Sequence, residues 1–332
     1  MLAAAPELVN LTCPLCRAPR QTSRLGLAEV YLSEGDFVLE GMLRCGASGC
    51  PGRFPVLQGV PIVLKDFRSW WQSSTAPRSG PLCSSPQMSS YLGRVVADSY
   101  PQQALLSTYM THHYGSNDDA YWQAVTRAIP EQDCGRALEL GCSVGGFVFA
   151  AARRAKVSVG IDLDFNLVAA AAGIQRSGEV QYRRLRRARA FEDVHFDFEV
   201  PGNVVFLVAD ALDPPLLAED WDLVAALNLL DNVALPTVLL GQMNALLRSG
   251  RRLVLGSPYQ WRPDITDPGE WLETDAMDSA SMVRAILFEQ LIPPMQLHYQ
   301  PVFDEPDLDW TLIQHDRQRR SYRVDLIVAR KD

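Results

Sequence analysis

The stretch ALELGCSVGG, residues 137–146, constrains this chain more than any other segment. An apolar run long enough for one buried strand ends around Glu139, and Gly141 and Gly145 bracket Ser143 in a tight turn before the next apolar run. Small residues at such a turn let a ligand approach the backbone N–H groups that open a helix. The sequence that follows supplies the sheet this motif needs. Strand-like runs VSVGID (157–162), VVFLVAD (204–210), WDLVAALN (221–228) and RLVLGSP (252–258) alternate with helix-like runs at 147–155, 166–176 and 236–248. That alternation predicts a parallel sheet covered on both faces. Helices are expected at about 100–112 and 118–129 before the motif and around 279–290 after it. DWTLIQHD (309–316) and YRVDLIVAR (322–330) close the chain as a strand pair. The predicted fold class is α/β, a seven-stranded doubly wound sheet preceded by a smaller cysteine-bearing unit.

Acidic or amide residues stand at successive strand ends: Glu139, Asp162, Asp210 and Asn228. Taken singly, each acid is an ordinary cap or turn residue. Together, after a glycine turn, they read as a nucleotide site, with Asp162 able to accept hydrogen bonds from both ribose hydroxyls. A dinucleotide enzyme would share that feature. The turn Asp210-Ala211 separates the two readings, because with ALELGCSVGG it resembles the cofactor motifs of Rossmann-like class I S-adenosylmethionine-dependent methyltransferases. The resemblance implies a cofactor cradle of Glu139, Gly141, Ser143, Gly145, Asp162, Asp210, Ala211 and Asn228. The family's strict pattern has glycine where Ser143 stands. Asn228, in LNLLDN, departs from the Asn-Pro-Pro-aromatic signature of enzymes that methylate exocyclic base or peptide amines.

Cys13-Pro-Leu-Cys16 and Cys45-Gly-Ala-Ser-Gly-Cys50 form two knuckles separated by strand-like sequence. Four thiolates on two turns make the closed tetrahedral shell of a structural Zn2+ site. FPVLQGVPIVL (54–64) resembles the segment after the second knuckle of Trm112-like zinc ribbons, modules that activate or stabilise methyltransferase partners. The expected organisation is a zinc ribbon at 1–66, a Ser/Pro-rich linker at 67–98 and a methyltransferase domain at 99–332. Within the linker, residues 72–90 are expected to be semi-extended. Seven cysteines, with no export-signal pattern in MLAAAPELVN, argue against a disulfide framework. Localisation is expected to be cytoplasmic, with no membrane association.

The net charge of −8 gives no global basic field, so nucleic acid is not the expected partner. YMTHHYG (109–115), DLVAALNLLDNV (222–233), LVLGSPYQW (253–261) and WTLIQHDRQRRSYRVDLIVARK (310–331) resemble the C-terminal methyltransferase domain of ovothiol-forming enzymes. Those enzymes methylate an imidazole nitrogen of a mercaptohistidine. The comparison domain has no ribbon in this position, and the segment after Trp261 is more acidic here. The resemblance implies a small-molecule acceptor and a biosynthetic role. Tyr114, Asn228, Asp231, Tyr259 and Trp261 are the candidates for the acceptor pocket, with helix packing as the competing role for Tyr114, His112 and His113. A solvated turn is favoured for His315, Arg317 and Arg320 over a carboxylate clamp. YRRLRRARAF (182–191), with five arginines, reads as an inserted hairpin or helix face. Two other functions stay open: an RNA (ribosomal RNA guanine) methyltransferase with a zinc module, and a non-catalytic scaffold of the same fold.

Overall fold

A computed structural model describes residues 1–16, 23–73, 83–92, 100–115, 120–132, 134–289 and 297–332. The chain opens with helix α1 (Ala5–Leu8). Strands β1 (Leu25–Glu34), β2 (Phe37–Cys45), β3 (Arg53–Leu57) and β4 (Val60–Pro61) follow as an antiparallel meander in the order β1-β2-β3-β4. The β3–β4 connection has positive φ at both Gln58 and Gly59, the backbone of a tight hairpin turn. Helices α2 (Phe67–Trp71), α3 (Pro86–Leu92), α4 (Tyr100–Tyr114) and α5 (Ala120–Ala128) lead to the main sheet.

That sheet begins at β5 (Cys134–Leu140) and alternates with helices: α6 (Gly146–Ala152), β6 (Ala155–Asp162), α7 (Phe165–Ser177). A two-stranded hairpin, β7 (Glu179–Arg187) and β8 (Ala190–Asp197), interrupts the pattern. β9 (Val204–Val208), β10 (Trp221–Leu227), α8 (Pro236–Leu246), β11 (Leu247–Ser257), α9 (Ser279–Phe288), β12 (Tyr299–His315) and β13 (Gln318–Lys331) complete it. The order is β12-β13-β11-β10-β5-β6-β9, parallel except for β13, which runs antiparallel to both β11 and β12. This is the expected α/β sheet of seven strands. Alternating side chains divide between the two faces, as strand geometry requires. Val205 and Leu207 of β9 join one core with α8 and α9, while Val204, Phe206 and Val208 join another with α6 and α7. No helix of the described residues is long and apolar enough to cross a membrane.

The cysteine-bearing unit is built onto the sheet's β9 edge. Ile62 makes a parallel bridge to Val208, and the Val63 N–H donates to the Val208 carbonyl at 2.9 Å. Ile62 faces the α6/α7 core and Val63 the α8/α9 core, so both layers of the sheet continue into the N-terminal unit. The Ser/Pro-rich stretch departs from the extended linker expected of it. Its described part carries helix α3, with Met88 and Leu92 buried four residues apart. Ser85 Oγ accepts from the Met88 N–H, and Glu40 accepts from the Ser84 and Ser85 N–H groups and from the Ser85 hydroxyl. Ser85-Pro86 is an N-cap followed by proline in the first helical position, a local signal that outweighs the composition. Residues 74–82 and 93–99 of the same stretch, and 118–119 of the helix expected at 118–129, lie outside the described residues.

Because Ile62 is fully buried at the seam, Ile62→Ala is expected to cost about 2–5 kcal/mol. Urea denaturation followed by far-ultraviolet circular dichroism checks this. A loss under about 1 kcal/mol would show that the edge contact carries little of the fold.

Candidate active site

At the C-terminal end of β5 the backbone turns through three left-handed residues, Gly141 (φ 76°), Ser143 (φ 49°) and Gly145 (φ 85°). A Cβ at Gly145 would lie 2.6 Å from the Phe206 ring, so only glycine fits there. Ser143 holds the strained position without that freedom. Its N–H donates to Asp162 Oδ2 at 2.9 Å, which offsets the steric cost of a non-glycine residue. The departure from glycine at 143 is thereby accommodated within the turn.

Asp162 also accepts from the Asp164 N–H at 2.9 Å. Burial raises its pKa, and those N–H groups pull the other way. Asp164, which caps α7, is pushed up to about 6 by burial and by the Asp162 charge. Asp210 accepts from the Leu212 N–H at 2.8 Å in a local turn over the buried Ala211. Glu139 is buried, with Oε2 unpartnered among the described residues, and burial raises its pKa well above the usual carboxylate range, helped by Asp162. Asn228 sits at φ 55° with its N–H on the Gly256 carbonyl (2.8 Å) and its buried Oδ1 unpartnered. Ser143 Oγ is a third buried polar atom without a partner. These residues lie at the ends of β5, β6, β9 and β10, adjacent strands of the sheet. Ligands of open α/β sheets bind along that edge.

Helix α4 closes over the turn. The Tyr114 hydroxyl donates to the Val144 carbonyl at 2.6 Å, and His113 Nδ1 accepts from the Gly146 N–H at 3.1 Å. Tyr114, expected to line the acceptor pocket, therefore has its hydroxyl engaged in fastening the loop. His112 accepts from the Trp310 indole N–H at 2.8 Å and packs between α4 and β12. Asp231 is buried; it accepts from the Gln260 N–H at 2.7 Å and from the Ser257 hydroxyl at 3.4 Å. Those bonds brace the segment after β11, which carries Tyr259 at φ 51°. Burial pushes the Tyr259 phenol well up. The Trp261 indole N–H donates to Ser279 Oγ at 2.8 Å, tying the segment to the start of α9. His315 accepts from the Arg317 N–H at the β12–β13 tip, far along the hairpin from the cofactor turn.

Sequence reasoning underrated His113 and passed over Tyr109. The signal was present in YMTHHYG, which places Tyr109 and His113 four residues apart on one helical face. Burial pushes Tyr109 up to about 12, with the Asp162 carboxylate adding to the shift.

With this geometry in place, the comparison of sequences is decisive. Residues 138–255 match the model of the family described as methyltransferase domain. The chain carries a methyltransferase domain. The matched span of that domain runs from β5 to β11 and holds every strand end described above. No curated protein matches the sequence. Among solved structures, the domain is similar to the YcgJ protein from Bacillus subtilis at 14% identity, covering 63% of this chain and 96% of that chain with a TM-score of 0.41. A SAM-dependent methyltransferase from Methanosarcina mazei is similar at 16% identity, covering 63% and 96% with a TM-score of 0.41. One from Mesorhizobium loti is similar at 15% identity, covering 64% and 99% with a TM-score of 0.39.

The second cluster is sulfur. Sγ atoms of Cys13, Cys16, Cys45 and Cys50 all lie within 4.8 Å of one another, with Cys13–Cys50 at 3.8 Å and Cys16–Cys45 at 3.7 Å. A tetrahedron of sulfurs about 2.3 Å from a zinc ion has edges of about 3.8 Å, so the thiols stand at metal-ligand spacing. The wide Cys45–Cys50 gap is absorbed by a turn through Gly49 (φ 77°), and the Ala47 and Gly52 N–H groups donate to Cys45 and Cys50 Sγ at 3.4 Å each. Burial raises the Cys13 and Cys45 thiols, Cys45 up to about 12, whereas a bound dication would take all four as thiolates. Thr12, next to Cys13, donates to the Pro215 carbonyl at 2.8 Å, which joins the cluster to the loop after Asp210.

Elemental analysis of the purified protein is expected to find one zinc per chain, and Cys45→Ser to bring it well below one with a lower melting temperature. Full stability of the variant without metal would show that the thiols are not a folding site.

Proposed function

We propose that the protein transfers the methyl group of S-adenosylmethionine to a nitrogen of a small molecule in a biosynthetic pathway, with an imidazole nitrogen of a histidine-derived thiol or selenol metabolite as its acceptor. S-adenosylmethionine-dependent methyl transfer, the coarser activity, follows from the domain. One observation carries the cofactor assignment: the buried, unpartnered oxygens of Glu139 and Asn228 flank the glycine turn. A buried carboxyl without a counter-charge is costly, and a cationic ammonium group satisfies both oxygens and restores the ionised form of Glu139. Glu139 and Asn228 would hold the methionine end, Asp162 the ribose hydroxyls, and Asp210 with Ala211 the adenine. When bound, the cofactor supplies an electrophilic methyl group on a sulfonium.

Enclosure supports the small acceptor. β13 pairs with the last residue of β11 at Ser257–Asp325, so the β12–β13 hairpin continues seven residues, about 23 Å, beyond the sheet edge. α4 packs against it through His112 and Trp310, and β7 joins α4 where the Leu185 N–H donates to Ser107 Oγ at 2.6 Å. The tips of the two hairpins meet: the Asp316 N–H donates to the Arg186 carbonyl at 3.0 Å, and Arg186 pairs with Asp316 at 2.7 Å. α4 and the hairpins thus roof the strand ends. Under such a roof, alignment of acceptor, methyl carbon and sulfur contributes on the order of 7–11 kcal/mol, and the protein needs little acid–base chemistry. Tyr259, on the loop braced by Asp231, is the side chain that would orient the acceptor ring. The Cys13, Cys16, Cys45 and Cys50 cluster would hold zinc as a structural ion and stabilise the β9 edge of the domain.

The joined tips also favour a second reading. Residues 182–193 and 309–323 hold nine arginines against four acids, a local charge of +5 in a chain whose remainder carries −13. Arg187, Arg189, Arg317, Arg319 and Arg320 make no ion pair among the described residues. An RNA substrate would find phosphate contacts there.

For the cofactor, calorimetry is expected to show binding to the wild-type protein, weakened about 5- to 150-fold in Asp162→Ala, or about 1–3 kcal/mol. No binding at millimolar cofactor would end the methyltransferase reading. For the acceptor, turnover is expected to change little between low and physiological salt, and replacing Arg183, Arg184, Arg186 and Arg187 together by Ala is expected to leave it largely intact. Tyr259→Ala should depress it. Steep salt dependence with an inactive arginine variant and a normal Tyr259→Ala would replace the small molecule by RNA.

A further inference from the structure

The order of strand ends fixes how the cofactor's parts are arranged, given the cofactor assignment above. Asp210 ends the β9 side, Asp162 follows on β6, and the glycine turn on β5 with Asn228 on β10 comes last. Adenine, ribose and methionine therefore run in that direction along the edge. The methionine end carries an ammonium and a carboxylate. Glu139 Oε2 and Asn228 Oδ1 are acceptors, so they suit the ammonium and repel the carboxylate. Asp162 and Asp164 lie one strand away and are also acidic. The carboxylate calls for a donor beyond the Ser143 hydroxyl and the Asn228 amide nitrogen, the side-chain donors that this row of strand ends supplies.

α4 provides one. His113 Nδ1 accepts from the Gly146 N–H, so that nitrogen carries no proton, and the proton of the neutral ring sits on Nε2. Burial and the neighbouring His112 hold the His113 pKa well below the usual histidine value, which keeps this tautomer at neutral pH. The edge-on rings of His112 at 5.3 Å and Tyr109 at 6.4 Å, with Trp122 at 5.7 Å, fix the ring plane. His113 is only partly buried, and no group among the described residues accepts from Nε2. The contact is so close that a Cβ at Gly146 would collide with the imidazole, which ties the glycine at 146 to the histidine at 113.

We propose that His113 binds the carboxylate at the methionine end of the cofactor through its Nε2–H, with Gly146 N–H fixing the tautomer that makes this donation possible. His113 is thus a cofactor-binding residue and acts as a donor, never as a base. A histidine that took up a proton at Nδ1 would release the Gly146 N–H and loosen the turn.

Calorimetry with three ligands tests this: S-adenosylmethionine, decarboxylated S-adenosylmethionine and adenosine. Wild-type protein is expected to bind the decarboxylated analogue at least tenfold more weakly than S-adenosylmethionine. In His113→Phe, S-adenosylmethionine should weaken by a similar factor until the two are bound alike, while adenosine affinity stays unchanged. His113→Gln, whose amide oxygen can accept from Gly146 and whose amide nitrogen can donate, should restore part of the discrimination. Wild-type protein that binds both cofactors equally, or a His113→Phe variant that still discriminates, overturns the proposal and leaves the cofactor reading intact. Equal loss of adenosine binding in His113→Phe also overturns it, because a collapsed turn would then be the cause. Wild-type protein that binds none of the three overturns the cofactor reading, and the assignment of His113 with it.

Discussion

Everything at the active edge depends on holding the 141–146 turn in one strained shape, with the N–H groups of Gly141, Cys142, Ser143, Gly145 and Gly146 each engaged by the protein itself. Three left-handed residues in five positions make that turn costly. Hydrogen bonds from four directions stabilise it: Gly141 and Cys142 donate to the Ile161 carbonyl, Ser143 to Asp162, Gly146 to His113, and the Val144 carbonyl accepts from Tyr114. Two of these partners lie on β6 and two on α4. The turn is therefore a joint product of the sheet and of a helix that precedes the sheet in sequence. Phe206 of β9 and His113 of α4 fill the space where side chains at 145 and 146 would go, so the fit is tight from both sides.

The same edge concentrates negative charge. Glu139, Asp164 and Asp231 are buried, Asp162 is half-buried among them, and burial raises the pKa of all four carboxyls. Natural cores seldom keep so many acids without counter-ions, because each desolvated charge is costly. The arrangement makes physical sense when the missing counter-charge arrives with a ligand. A sulfonium and an ammonium are two cations in one small molecule, and acids at adjacent strand ends meet both in a medium where Coulomb attraction is stronger than in water. The nine arginines of the two hairpins lie outside the row of strand ends, so the acids along that row stay available to a cation.

The sheet, its strand count and the glycine turn were legible because they follow from periodicity and from residue types with few alternatives. Gly145 has one conformational explanation, and β5, β6, β9 and β10 are apolar runs bounded by polar ends. The roles within the site were less legible. Tyr114 and Asp231 are polar residues near strand ends, which is all a sequence shows. In the structure the Tyr114 hydroxyl is engaged by a loop carbonyl, and the Asp231 carboxylate by the Gln260 N–H and the Ser257 hydroxyl. Whether a polar atom is engaged or free depends on partners 26 to 30 residues away. The reverse holds for His113, whose i,i+4 relation to Tyr109 was visible while its partner Gly146 was not. Composition misled at 83–92, where serines and prolines suggested an extended chain but Met88 and Leu92 bury a helical face.

An exposed edge is a liability for any sheet, since unpaired N–H and carbonyl groups invite another chain. β9 is fully buried along its length because the segment after β4 covers it, with Val63 taking the Val208 carbonyl. The covering segment is itself held by a meander whose small core is completed by Leu207 of β9 and by Ala209 and Leu216 of the segment after it. A unit this size draws on metal or on a neighbour for stability, and here the four-cysteine cluster and the shared core serve the same end. The Thr12–Pro215 bond then passes the position of that cluster to the loop following Asp210. On the proposed cofactor reading, the adenine end of the site would rest on the N-terminal unit and the methionine end on α4, with the central sheet contributing the acids between them.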